Sequence, residues 1–109
     1  MSYKVDTIKH FEKQAKRLKK KFLSLKTEID ELIDELEENP QMGTAIGNGF
    51  YKIRLSIASK GKGKRGGARL ITYVKIINET VYLVSIYDKS EQSAILDEEL
   101  KELFGEIPS

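Results

Sequence analysis

The chain has 109 residues, 33% of them charged, with no cysteine, one histidine and a formal net charge of +2. That length suits one domain with a single core. The missing cysteines exclude disulfides and thiolate metal centres, and without a second histidine a transition-metal site has no ligand set. No stretch approaches the roughly 20 apolar residues of a membrane span, and Met1 to Asp6 lack the apolar run of a signal peptide, so a cytoplasmic protein is expected.

Residues Tyr3 to Asp6 offer a short first strand. Ile8, Phe11, Ala15, Leu18, Phe22 and Leu25 then recur at spacings of three and four, and Ile29, Leu32, Ile33 and Leu36 carry the rhythm on, which predicts two amphipathic helices. The charge divides them. Lys4 to Lys26 holds nine cations against two acids, whereas Glu28 to Glu38 holds seven acids and no cation. Ser24 or Thr27 is the candidate N-cap of the second helix, and Asn39-Pro40 and Gly43 end it. An unbroken coiled coil is the plainer alternative. The acidic run reads as a solvated helix face, and His10, on the polar side of the first helix, as a solvated side chain.

After Gly47-Asn48-Gly49 the period changes to two. Tyr51, Ile53, Leu55 and Ile57 face one way and Lys52, Arg54 and Ser56 the other, which is a half-buried strand. A second strand is expected from Ala68 to Ile77, with Arg69, Tyr73 and Lys75 in its exposed phase, and a third from Val81 to Tyr87 after the turn at Asn78-Glu79-Thr80. Short links predict an antiparallel meander. A last helix spans Asp97 to Phe104, with Asp97 as its cap and Gly105 and Pro108 as stops. The fold class is therefore α+β, an N-terminal helical hairpin on a small antiparallel sheet of about four strands, closed by a short C-terminal helix.

Asn39 to Asn78 contains eight cations and no acid. A block of one sign on a chain of near-neutral total charge seeks a polyanion, nucleic acid first. Gly61-Lys62-Gly63-Lys64-Arg65-Gly66 matches the dinucleotide-binding glycine pattern by letter, but strand patterns lie on both sides and no helix opens at its last glycine. The segment reads instead as a hairpin tip whose Lys60, Lys62, Lys64 and Arg65 dock phosphates, and Tyr73 and Lys75 extend that surface. The cluster of Lys52, Arg54 and Arg69 carries more weight. Stability alone does not select like charges crowded on neighbouring strands, and cations aimed at a reacting phosphodiester are the strongest aid a metal-free site can give.

Phe50-Tyr51-Lys52-Ile53-Arg54-Leu55, Gly67-Ala68-Arg69-Leu70-Ile71-Thr72-Tyr73, Val81-Tyr82-Leu83-Val84-Ser85-Ile86-Tyr87 and the closing helix together resemble the RelE/HigB family of bacterial type II toxins, with the stretch 63–69 similar to the HigB-like branch. The resemblance spans nearly the whole chain as a single domain, 1–109. It implies cleavage of mRNA in the ribosomal A site through attack by the RNA 2′-hydroxyl, with no metal and no cofactor. It implies as partners a cognate antitoxin protein, the ribosome with its rRNA, and mRNA.

By that resemblance Lys52 and Arg54 match the family's basic strand pair, Arg69 its phosphate-contacting arginine, and Lys89 a basic residue after the last strand. Where relatives often carry a C-terminal tyrosine for acid–base chemistry, this chain reads Ser93-Ala94-Ile95-Leu96. Tyr87, Tyr73, Asp88 or Lys52 are the candidates to stand in. Two other functions fit the same fold: a ParE-like inhibitor of DNA gyrase, and a ribosome- or RNA-binding module without catalysis.

Overall fold

A computed structural model describes residues 2–60 and 67–108, with the side chain of Lys60 left out. Strand β1 (Lys4–Thr7) leads into helix α1 (Lys9–Lys21) and helix α2 (Leu25–Glu38). Phe11, Ala15 and Leu18 of α1 are buried together with Leu25, Ile29, Leu32 and Leu36 of α2, so the 3.6-residue rhythm marks one apolar face on each helix. Ser24 occupies the N-cap position of α2, but it caps nothing with its side chain. Its hydroxyl meets Ser59 at 2.9 Å, while the Ala58 amide donates to Glu28 at 2.7 Å. Glu28 is therefore a structural anchor for the short 3-10 turn Ala58–Lys60, and it departs from the solvated face expected of its run. His10 departs too: it is half-buried, and its Nε2 is buried without a hydrogen-bond partner among the described residues.

The sheet has five strands in the order β1-β5-β4-β3-β2, with β2 (Thr44–Gly47), β3 (Phe50–Leu55), β4 (Ala68–Lys75) and β5 (Thr80–Asp88) antiparallel as a meander. Two features differ from expectation. β1 runs parallel to β5, which makes the sheet mixed, because the chain returns from β1 through the helical hairpin before it enters the opposite edge at β2. β2 was not expected at all. Its hairpin turns at Asn48-Gly49, both at positive φ (55° and 87°), the backbone that a tight two-residue turn requires.

β4 stops at Lys75 because Ile76 and Ile77 lie in the turn, 65% and 94% exposed. All nine residues of β5 are buried, so this interior strand is covered on both faces. α1 packs along it, and its Gln14 side-chain oxygen accepts from the Ile86 amide at 2.9 Å. Helix α3 (Asp97–Phe104) begins one residue after its N-cap, Leu96, so Asp97 is its first residue rather than its cap. The Phe104 ring stacks edge-on over Tyr73 at 5.4 Å, and Tyr73 in turn meets Phe50 at 5.2 Å. Among the described residues no helix is long and apolar enough to cross a membrane.

Candidate functional site

Register brings the cations together. Arg54 of β3 stands opposite Arg69 of β4, and Arg69 stands opposite Tyr87 of β5, so three adjacent strands contribute one row. Lys52, two residues before Arg54, projects to the same face by strand alternation. Lys89 follows the end of β5, and its amide donates to the Gly67 carbonyl at 3.1 Å, which pins it beside the start of β4. These four cations, with Gly43, Thr44 and Ser93, line one cleft of about 560 Å³. No carboxylate and no imidazole lines it among the described residues.

Depth separates the four. Arg54 is exposed, Lys52 and Lys89 are half-buried, and Arg69 is 8% exposed. The exposed phase expected for Arg69 is thus corrected: it lies in the row between Arg54 of β3 and Tyr87 of β5, and its guanidinium Nη1 donates to the Ala68 carbonyl at 3.2 Å. Tyr87 lies deeper still, 3% exposed, and shares with Lys52, Ile95 and Leu100 a small adjoining pocket of about 90 Å³. Burial pushes its phenol above the ordinary 10.0; nearby Arg69 pulls it down and Glu99 adds to the rise. The phenol is therefore a proton donor at neutral pH and is not available as a base.

Asp88 cannot take that role freely either. Its Oδ1 accepts from the Ser90 amide at 2.9 Å and the Ser90 hydroxyl at 2.8 Å, and its Oδ2 meets Lys21 at 3.4 Å. Glu91 is clasped by Arg17 at 2.8 Å and Lys21 at 3.1 Å, and those two hydrogen bonds hold its carboxyl below the usual value. The turn after β5 is fixed by this network.

The other residues expected at the site lie elsewhere. Tyr73 belongs to the aromatic cluster under α3, and Lys75 donates to the Pro108 carbonyl at 3.0 Å. Six residues of strand, about 20 Å, separate Lys75 from Arg69, and neither Tyr73 nor Lys75 lines the cleft. Lys62, Lys64, Arg65 and the side chain of Lys60 lie outside the described residues. Sequence reasoning missed Gly43 and Thr44, which sit on the unforeseen edge strand, with Thr44 opposite Lys52. The Asn48-Gly49 dipeptide was the signal that a strand preceded β3. Ser93 was visible only as part of a segment lacking a tyrosine, and the fold turns it into the cleft.

The model of the family described as the RelE toxin of the RelE / RelB toxin–antitoxin system matches residues 3–106. Among solved structures, a double arginine-to-alanine mutant of the E. coli toxin RelE in the free state is similar over 97% of this chain and 94% of its own, with a TM-score of 0.64 and 18% identity.

Proposed function

The chain belongs to the RelE toxin family, and from that premise we propose that it is the toxin of a toxin–antitoxin pair which cuts mRNA on the ribosome, in the cytoplasm, without a metal ion. The observation that supports this reading is the cleft, which among the described residues is lined by four cations from β3, β4 and the turn after β5, by two hydroxyl side chains and by no carboxylate.

The geometry suits a phosphodiester better than a free nucleotide, because the cleft is open along the sheet and cationic at several depths. Arg54 and Arg69, opposite one another, bind the two non-bridging oxygens of the scissile phosphate and hold the charge that grows on them as the 2′-oxygen attacks phosphorus. Lys89 binds a flanking phosphate. The bond that forms joins the 2′-oxygen to phosphorus, and the bond that breaks joins phosphorus to the 5′-oxygen. The products are a 2′,3′-cyclic phosphate and a 5′-hydroxyl end. The 2′-hydroxyl proton passes to solvent, since among the described residues no carboxylate or imidazole lines the cleft, and the Lys52 ammonium supplies a proton to the departing 5′-oxygen. Tyr87, protonated behind Lys52 and beside Arg69, is a positioning residue.

The partners that follow are mRNA and ribosomal RNA as the polyanions, and a cognate antitoxin that covers the cationic cleft. Primer extension on mRNA from cells producing the protein tests the reading. Codon-aligned cuts during translation support it; intact transcripts alongside DNA damage overturn it in favour of gyrase inhibition.

A further inference from the structure

A second cationic surface lies outside the cleft, on α1. Lys9, Lys13, Lys16 and Lys20 are all exposed. At 100° per residue they fall within about 60° of one another, opposite the buried Phe11, Ala15 and Leu18, and form a stripe about 16 Å long. None of the four makes an ion pair among the described residues. The acids nearby are committed elsewhere, Glu12 to the Thr7 hydroxyl and Asp30 to Lys26 at 3.0 Å.

Folding does not account for this arrangement. Like charges one turn apart on a helix oppose its formation. Lys19, Lys20 and Lys21 in the last turn suit the helix dipole, but Lys9 stands in the first turn at its positive end, where carboxylates are favoured. The stripe is therefore a feature held against local electrostatics, and its charge spacing follows one helical turn, the scale of successive phosphates. Arg17 and Lys21, on the flank of the same helix, are the residues that clasp Glu91 beside Lys89, so the stripe is joined structurally to the rim of the cleft.

We infer that the Lys9, Lys13, Lys16 and Lys20 stripe is a docking surface for the phosphate backbone of structured RNA, separate from the cleft that receives mRNA. The partner follows from the proposed function, on which this inference rests: a protein that cuts mRNA within a ribosome has ribosomal RNA around it as well as mRNA in its site. The stripe sets affinity and orientation, and the cleft sets chemistry.

Titration of mRNA-loaded ribosomes over a range of salt concentrations tests this, comparing wild type, the quadruple Lys→Gln variant at 9, 13, 16 and 20, and the quadruple Lys→Arg variant. Glutamine keeps helix propensity, and circular dichroism reports folding of each protein directly. Removing four cations that each neutralise a phosphate should lower the log–log salt slope by about three units. The expected result is that slope change for Lys→Gln, a retained slope for Lys→Arg, and retained single-turnover cleavage at saturating ribosome. An unchanged slope in the Lys→Gln variant overturns the inference, as does a change from dimer to monomer on sedimentation, which would assign the stripe to the acidic α2 of a second copy. If wild type does not bind ribosomes, the functional reading fails by itself. The same salt titration with an RNA hairpin then decides the stripe: binding that depends on the four lysines sustains it, and lysine-independent binding or none sinks it.

Discussion

Arg54 and Arg69 face one another across β3 and β4, yet Arg54 is exposed and Arg69 is 8% exposed. Directly opposed like charges repel, so a difference in depth lets one row of the sheet hold both. That relationship separates their mutational outcomes. Arg54→Ala should lower single-turnover cleavage by about 10² to 10³, while thermal unfolding stays within about 0.5 kcal/mol of wild type. Arg69→Ala should lose cleavage and also about 0.5 to 3 kcal/mol of stability, because a buried side chain is removed. Equal stability of the two variants would remove the depth argument.

Among the described residues the cleft has no imidazole or carboxylate to accept the 2′-hydroxyl proton. Cleavage on saturating ribosomes is therefore expected to rise about tenfold per pH unit across the neutral range, as solvent hydroxide becomes available. A plateau with an inflection near pH 6 to 7 would reveal a protein base.

Tyr87 is buried and its phenol is raised above 10.0. The sign follows from proton binding: the folded state holds this proton more tightly, so its contribution to stability is complete below pH 10 and is lost as pH climbs through the folded value. Spectroscopic titration of the five tyrosines should show one ionising late, and Tyr87→Phe should delete that step. Loss of an early-ionising tyrosine instead would contradict the burial of Tyr87.

Glu91 carries the opposite sign. Hydrogen bonds from Arg17 and Lys21 hold its carboxyl below 4.5. Its contribution is in place above about pH 4.5 and fades as pH falls through the lower, folded value. Arg17 and Lys21 are both raised, mainly by their bonds to Glu91, so their contributions are complete at neutral pH and are lost only under strongly alkaline conditions. Between about pH 5 and pH 3, wild type should lose stability faster than Glu91→Gln in urea denaturation; parallel curves would mean that the clasp is not formed in solution.

Gly43 has φ of 94° and lies against the backbone carbonyl of Lys52, so an added methyl group is both strained and in contact with β3. Gly43→Ala should cost about 1 to 3 kcal/mol and reduce cleavage along with stability, since the displaced strand carries Lys52. Calorimetry and a cleavage assay on the same preparation check this, and a variant as stable as wild type would show that β2 moves without cost.

The parts of this fold legible in the sequence are those with a strong period. The rhythm from Ile8 to Leu36 gave both helices, and the alternation at Tyr51 to Ile57 gave β3 and placed Lys52 and Arg54 on one face. The four-residue edge strands β1 and β2 are too short to carry a period, so the parallel pairing of β1 could not be read, and β2 was marked only by its Asn48-Gly49 turn. Burial of Arg69 was hidden for a different reason. Alternation assigns a face, but not how deeply the rest of the chain covers it. The same limit hid Thr44 and the turning of Ser93 into the cleft, whereas the one-sign charge that singles out Lys52, Arg54 and Arg69 is visible in the chain itself and Lys89 is marked by the family resemblance. The structure brings the four to one cleft, and their roles stand as a proposal.

The chemistry of the RNA ends tests the central claim most directly. Messenger RNA cut on purified ribosomes by wild type should carry 2′,3′-cyclic phosphate and 5′-hydroxyl ends at codon-aligned positions, and Arg54→Ala should bind the same ribosomes but leave the message intact over the same time. Ends bearing 5′-phosphate, or equal cutting by Arg54→Ala, would contradict attack by the 2′-hydroxyl within this cleft.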